Sequence, residues 1–189
     1  MSEMVDLIFE EMKDRINEVR ENLKKHLGKV RTGRASVSML DEVKASYYGQ
    51  MTPLKGMANI TVPEPRLLVV QPFDPSVLKD IEKAIIGSDL GLNPHNDGKV
   101  LRVVIPELTE ERRKELVKVV KKIAEEHRVS ARQVRRDSNE ELKKAEKDKD
   151  ITEDELHKSM DQVQKDIDKA IAEIDKISEG KINELMEIK

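Results

Sequence analysis

Four arginines have the side-chain type and the spacing that best suit a binding function in this chain. They stand at positions i, i+4, i+7 and i+8: Arg128, Arg132, Arg135 and Arg136. On a helix, which turns by about 100° per residue, they share an arc of about 100° on one side. Guanidinium groups keep their charge and match phosphate oxygens in geometry, so this arginine ridge is predicted to contact the backbone of a folded RNA.

The arginine ridge belongs to a strongly basic section that the total charge conceals. Residues 112–136 contain ten Lys/Arg and three Glu, whereas residues 137–189 contain ten Lys/Arg and 17 Asp/Glu. The whole chain therefore has a formal net charge of only -3. The alternative is a solvated helix face paired with Glu125 and Asp137, although four arginines outnumber these two carboxylates. Basic helix faces also bind acidic proteins and membranes, but the adjoining apolar face carries no Trp or Phe that would anchor it in a membrane.

A second pair of arginines, Arg31 and Arg34, lies at the first of two predicted connections between domains. They are further candidates for RNA contact. Taken alone, this segment fits a linker with solvated charges slightly better. The predicted hinge consists of the residues at both connections: Thr32, Gly33, Ile105 and Pro106.

Catalytic signatures are missing from the sequence. The chain has no cysteine, and it contains no HExxH, GxSxG, Walker A or GxGxxG motif. His127 falls on a predicted apolar face, where a packed histidine is far more common than a base or a metal ligand. His95 is predicted to lie in a loop, and the glycines around residues 87–94 to form a tight polar turn. The sequence thus predicts no catalytic residue, no metal site and no cofactor, with a hydrolase of unfamiliar type as a weaker alternative.

Three long helices are needed to position the arginine ridge. Apolar residues at steps of three and four predict a first helix over about residues 5–30. A second should begin after the N-cap Thr109 and run to about Lys147, and a third should begin at the capping box from Thr152 to Glu155. The short connection between them predicts antiparallel packing, with the first helix completing a bundle. The predicted buried face of the second helix is Leu116, Val120, Ile123, His127, Ala131, Val134, Ser138, Leu142 and Ala145.

An inserted domain is predicted between the first and second helices. All seven prolines and seven of the eight glycines fall between Gly28 and Pro106. Strands are predicted over residues 43–48, 50–54, 59–62, 67–71 and 100–105, and one helix from the N-cap Asp74 to Gly87. The predicted domains are therefore residues 1–30 with 107–189 for the bundle and residues 31–106 for the insert.

Several motifs, in this order, resemble the ribosome recycling factor family over essentially the full length. They are VRTGRAS (residues 30–36), YYG (47–49), TPL (52–54), SDLGLNP (88–94), LTEERRK (108–114) and VRRD (134–137). Two positions depart from the family pattern, Gln133 in place of Asn and Ser138 in place of Ala, and both are small changes compatible with the basic ridge.

The resemblance implies an α+β protein with an L-shaped arrangement of two domains. One is an elongated antiparallel three-helix bundle made from both chain ends, and the other is a small inserted β/α/β domain. It also implies a translation factor that is not an enzyme. With elongation factor G and GTP, such a factor releases post-termination ribosomes from mRNA and separates them into subunits.

The resemblance further implies which residues touch the ribosome. The bundle would contact large-subunit rRNA at the intersubunit face, with Arg132, Arg135 and Arg136 as the strongest candidates. Arg128 would extend the ridge, and Arg31 and Arg34 would lie near the hinge. A coiled-coil adaptor that recognises an acidic protein remains the alternative from a different class.

The expected compartment is the cytoplasm. The first residues, MSEMVD, lack the basic start and apolar run of a secretory signal. No stretch approaches the ~20 apolar residues that span a bilayer. We therefore expect a cytoplasmic monomer without membrane contact.

Overall fold

The computed structural model of the chain describes residues 2–187 and divides into two compact units. One, the helical unit, comprises the chain up to Arg31 and from Glu110 onward, and the other, the small unit, is Thr32–Thr109. In chain order the elements are α1 (Glu3–Gly28), β1 (Lys44–Tyr47), β2 (Gln50–Pro53), β3 (Ala58–Glu64), β4 (Leu67–Pro72), α2 (Leu78–Ile86), β5 (Pro94–Asn96), β6 (Leu101–Val104), α3 (Glu110–Lys147) and α4 (Glu153–Met186). The predicted combination of a long helical bundle and a small β-containing unit is confirmed.

The helix starts follow the capping chemistry of the sequence. Before α4, the Thr152 hydroxyl accepts a hydrogen bond from the backbone N–H of Glu155 at 3.1 Å, as the capping box predicts. Before α1, the Ser2 side chain accepts from the backbone N–H of Val5. With 38 residues, α3 extends over about 57 Å at 1.5 Å per residue. The arginine ridge therefore lies on a long, regular support.

Contacts between the helices fix their directions. Arg15 of α1 pairs with Asp137 of α3 at 2.9 Å, and His26 contacts His127, so residue numbers fall along α3 as they rise along α1. Helices α1 and α3 are thus antiparallel. The core shared by the three helices is Val5, Ile8, Met12, Ile16, Val134, Leu142, Ala145, Ile151, Leu156, Val163, Ile167 and Ala170.

The buried face of α3 matches the prediction except at one position. Ala124 is buried, whereas Ile123 is half-buried. At 100° per residue, Ala124 lies about 40° from the centre of the buried face and Ile123 about 60°. Ala124, which is nearer the centre, is the buried side chain, and the larger Ile123 stays at the margin of the buried face.

The small unit contains a β1–β2 hairpin and a four-stranded antiparallel sheet in the order β3-β4-β6-β5. The hairpin turns at Tyr48 and Gly49, whose φ angles of 49° and 82° suit a tight two-residue turn. Strand β5 was not predicted, and the loop predicted for His95 is wrong, because His95 lies in β5 opposite Arg102 of β6. Three residues including a proline give no alternating pattern from which a strand could be inferred.

The core of the small unit lies between the four-stranded sheet and α2. Leu68, Val70 and Leu101 of the sheet and Ile81 and Ile85 of α2 are fully buried. The carboxylate of Asp74 accepts the backbone N–H of Ser76 at 3.0 Å, so the predicted capping residue does cap the 3₁₀ turn that leads into α2. These contacts close the unit around an aliphatic interior.

Candidate nucleic-acid interface

All four side chains of the arginine ridge lie on α3 beside its buried face. Arg128, Arg132 and Arg135 are half-buried, and Arg136 is exposed. Ala131 and Val134, which alternate with them along the helix, are buried in the bundle. The backbone that carries the ridge is therefore held by packing, while the guanidinium groups reach the surface.

Arg128 is engaged by two carboxylates. Its Nε donates to Oδ1 of Asp175 in α4 at 2.7 Å, and its Nη1 donates to Oε2 of Glu125 at 2.8 Å. These hydrogen bonds, with Asp175 the stronger influence, raise the pKa of Arg128 above its ordinary value. Only 25% of the Arg128 side chain is exposed. Arg128 therefore ties α3 to α4, and it is the ridge member least available to an outside phosphate.

Within residues 2–187, Arg132 has one carboxylate partner. Its Nη1 donates to Oε1 of Glu125 at 3.1 Å, and 38% of its side chain is exposed. Glu125 accepts from Arg128 and Arg132 together, and these two bonds lower the pKa of Glu125 below its usual range. Glu125 was one of the two pairing residues considered from the sequence, and it does pair with the ridge.

Arg135 and Arg136 touch amides instead of acids. Arg135 donates to Oε1 of Gln164 at 3.5 Å and Arg136 to Oε1 of Gln133 at 3.4 Å, both long for such bonds. Within residues 2–187, no carboxylate lies within 4.0 Å of either guanidinium. These two side chains keep the least compensated charge of the ridge.

Asp137, the second candidate partner from the sequence, faces other groups. It accepts from Gln133 Nε2 at 2.8 Å and from Arg15 of α1 at 2.9 Å. These bonds, Gln133 first, lower the pKa of Asp137, with a smaller contribution from the charge of Arg136. The carboxylate that follows the ridge in sequence is thus used to join α3 to α1.

Two lysines that were not predicted as part of the ridge extend the basic surface. Lys118 and Lys121 lie on the same 100° arc of α3 as the arginines, about two to four turns earlier. Both are exposed, and neither has an ion pair within 4.0 Å in the described part of the chain. The helical periodicity that groups the arginines also includes Lys118 and Lys121 when it is extended toward the start of α3.

The residues predicted at the connections fall in both units. Arg31 belongs to the helical unit and Arg34 to the small unit, and both are exposed. Gly33 adopts a φ of +76°, and a Cβ added there would lie 3.3 Å from Cγ of Leu108. The two chain crossings therefore touch within the small unit.

The remaining predicted hinge residues differ in burial. Thr32 is half-buried and Pro106 is exposed, whereas Ile105 is buried in the core of the small unit. The backbone N–H of Ile105 donates to the carbonyl of Arg66 at 2.8 Å. Ile105 therefore anchors the returning crossing.

His127 is packed, as its position on the buried face predicts. It is 7% exposed, its Nδ1 lies 2.7 Å from the carbonyl oxygen of Ile123, and its Nε2 lies 3.4 Å from Nδ1 of His26. Among residues 2–187, no three His, Asp or Glu side chains are grouped so that they could hold a metal ion. In the same range, no helix combines the length and apolar character that crossing a membrane requires.

Replacing Arg128 is expected to loosen the bundle. Arg128→Gln removes the ion pairs to Asp175 and Glu125, so the free energy of unfolding should fall by about 1 kcal/mol or less, the range of partly exposed pairs. Chemical denaturation followed by circular dichroism at 222 nm measures this. Arg136→Gln is the matched control and should leave stability unchanged, and an equal loss in both variants would contradict the bridging role of Arg128.

Comparisons with known proteins agree on one family. The family model described as "Ribosome recycling factor" matches residues 23–186. A ribosome-recycling factor of Syntrophomonas wolfei is 55% identical over 185 residues, covering 98% of this chain and 100% of the relative. A ribosome-recycling factor of Syntrophus aciditrophicus is 53% identical with the same coverage.

Solved structures give the same similarity. A solution structure of the ribosome recycling factor matches with a TM-score of 0.79 and 40% identity, covering 100% of both chains. A second match has a TM-score of 0.66 and 43% identity, covering 99% of this chain and 100% of the other. That structure is described as models for the T. thermophilus ribosome recycling factor and the E. coli elongation factor G bound to the E. coli post-termination complex.

Proposed function

Because the chain belongs to the ribosome recycling factor family, we propose that it acts with elongation factor G and GTP on the post-termination ribosome. In this proposal the ribosome is released from mRNA and separated into subunits for another round of initiation. GTP is hydrolysed by elongation factor G, and the chain itself performs no covalent chemistry. The structural relative bound with elongation factor G to a post-termination complex supports this assignment.

The proposed contact with the ribosome is the arginine ridge. Arg132, Arg135 and Arg136 would bind phosphates of large-subunit rRNA at the intersubunit face, with Arg128 holding the adjacent helix and Arg31 and Arg34 adding contacts near the connections. The observation that carries this proposal is that, among the described residues, Arg135 and Arg136 have amide partners only, on a helix held by its buried core. Guanidinium groups in this condition can exchange a weak amide contact for a charge-assisted bond to phosphate.

The proposed mechanism uses the stiffness of the bundle. Three long helices packed through a shared aliphatic core resist bending, so force on one part is transmitted along them. We propose that elongation factor G moves the small unit and that the bundle transmits this motion to the contacts between subunits. The pivot would be the predicted hinge at the two crossings, with Thr32, Gly33 and Pro106 bending and Ile105 anchoring the return.

Locking the two crossings together is expected to slow subunit splitting. The chain has no natural cysteine, so Thr32→Cys and Leu108→Cys can be joined by a short bifunctional thiol reagent. A Cβ added at Gly33, next to Thr32, would lie 3.3 Å from Cγ of Leu108, so such a reagent should reach. Splitting should fall about ten-fold or more, because hinge residues gate such steps. Each single cysteine variant is the control, and splitting at full rate after cross-linking would show that hinge motion is not required.

The decisive test of the function is sedimentation of purified post-termination ribosomes with the chain, elongation factor G and GTP. Separated subunits should appear only when all three are present. Omitting GTP, or using an Arg132→Glu/Arg135→Glu chain, should leave intact ribosomes. Intact ribosomes in the complete mixture would contradict the proposal.

We further propose that the chain acts as a monomer in the cytoplasm, which sedimentation of the free chain and cell fractionation would test.

A further inference from the structure

Glu125 is the one acidic residue on the basic arc of α3 between Lys114 and Arg136. Both of its carboxylate oxygens are occupied, Oε1 by Arg132 at 3.1 Å and Oε2 by Arg128 at 2.8 Å. Its side chain is 53% exposed, so it lies at the surface that the ridge presents. A carboxylate thus occupies the middle of a surface otherwise suited to phosphate.

Carboxylate and phosphate oxygens compete for the same guanidinium donors. Both accept N–H bonds in similar geometry, so a donor turned toward Glu125 is withdrawn from an outside phosphate. The two arginines differ in what they would lose without Glu125. Arg128 would keep Asp175, whereas Arg132 would keep no carboxylate within 4.0 Å in the described residues. Arg132 is therefore the ridge member whose availability Glu125 controls.

Given the proposed docking on ribosomal RNA, on which this depends, we infer that Glu125 is an internal competitor that holds Arg132 and limits affinity for the ribosome. A phosphate that takes the Nη1 donor of Arg132 now held by Glu125 must open this pair, and the freed carboxylate then stands close to the RNA backbone. Both effects shorten the life of the complex. A factor that must leave the ribosome in every cycle needs such a limit, because tight phosphate binding along a whole ridge would delay its release.

The competition is present throughout the neutral pH range. The pKa of Glu125 lies below its usual range because of the bonds from Arg128 and Arg132, so its carboxylate is ionised at neutral pH. The groups facing it are the two arginines on its own helix, with Asp175 of α4 on the far side of Arg128. Glu125 therefore sets a constant level of affinity and does not act as a pH switch.

The test compares Glu125→Gln with Glu126→Gln in the full chain. Glu126 is the next residue, is exposed and has no ion pair in the part of the chain that the structure describes, so its replacement changes the net charge equally without freeing an arginine. A single cysteine introduced as Asn22→Cys, on the exposed side of α1, accepts a fluorophore because the chain has no other cysteine. Dissociation from purified bacterial 70S ribosomes is then measured at low and at physiological salt.

Glu125→Gln is expected to slow dissociation by about five-fold at low salt, the upper range for releasing one exposed ion pair. Glu126→Gln should stay within about two-fold of the wild type, because Glu126 lies about 100° around the helix from Glu125 and its replacement frees no arginine. In an Arg132→Gln background, Glu125→Gln should no longer slow dissociation, and a double-mutant cycle detects this coupling between the two residues. Thermal melting of each variant verifies that the bundle remains folded.

Two failures are distinguishable. Equal effects of Glu125→Gln and Glu126→Gln would contradict the role of Glu125 as an internal competitor. So would a slowing of dissociation by Glu125→Gln that persists without Arg132. Either result would leave the ridge as the docking surface. If Arg135→Gln and Arg136→Gln also left binding unchanged, the docking proposal itself would fail. A slower dissociation confined to Glu125→Gln and dependent on Arg132 would support both.

Discussion

Charge reversal at Arg132 and Arg135 is expected to weaken binding to 70S ribosomes by about 100-fold or more. Each replacement removes a charge-assisted contact to phosphate, worth about 1.5–3 kcal/mol, and adds a repelling carboxylate. The fold should persist, since neither side chain is fully buried and neither makes a bond that the bundle requires. Fluorescence titration of labelled Arg132→Glu/Arg135→Glu measures the affinity, and circular dichroism measures the helix content.

The matched control places the same charge change on another helix. Lys165→Glu/Lys169→Glu alters two exposed lysines four residues apart on α4. This control should lose far less affinity than the ridge variant. Wild-type binding should also fall as salt rises, with a shallower dependence in the ridge variant because fewer counterions are released. Equal losses in the two variants would mean that net charge, and not the arginine ridge, determines binding.

The sequence predicted the helical part of the fold closely because its signals are local and repeated. Apolar residues at steps of three and four, together with the cap at Thr152, define helix phase and ends over many turns. The prediction was wrong where a strand was too short to show a pattern, or where two neighbouring residues fitted the buried face almost equally well. Strand β5 is three residues long and depends on pairing with β6, and the choice between Ile123 and Ala124 depends on how α1 and α4 approach α3.

The sequence predicts which arginines share one face of α3, but it does not predict which groups they pair with. The spacing of the four arginines places them on one face whatever their partners are. Their partners are distant in sequence: Asp175 lies 47 residues from Arg128, and Gln164 lies 29 residues from Arg135. Only the packing of α4 on α3 decides which guanidinium meets a carboxylate and which meets an amide. The division of the ridge into an end bound by carboxylates and an end bound by amides therefore depends on helix packing, which the arginine spacing does not reveal.

This division changes what the ridge is expected to do. Four equivalent arginines would bind phosphate cooperatively along about two turns of helix. The structure instead has Arg128 tied to α4, Arg132 shared with Glu125, and Arg135 and Arg136 in weak amide contact. Replacement of these residues should therefore give graded losses of ribosome binding, smallest at Arg128 and largest at Arg135 and Arg136.

The largest expected loss of stability comes from Leu142→Ala in the core of the bundle. Leu142 is fully buried on α3 and belongs to the same core as Val5 and Ile8 of α1 and Val163 of α4. Truncation removes buried methyl groups and leaves a cavity, which costs about 3–4 kcal/mol in packed interiors. Chemical denaturation followed at 222 nm reports chiefly on the three long helices.

The neighbouring exposed residue provides the control. Lys143→Ala, one position along the same helix, should change the free energy of unfolding by less than about 0.5 kcal/mol. Because the bundle is proposed to transmit force, Leu142→Ala should also slow subunit splitting at temperatures where it is still folded, since a cavity softens the contacts that keep the helices in register. A loss of stability below about 1 kcal/mol would mean that the three helices do not close around Leu142, and the stiffness on which the proposed mechanism depends would be absent.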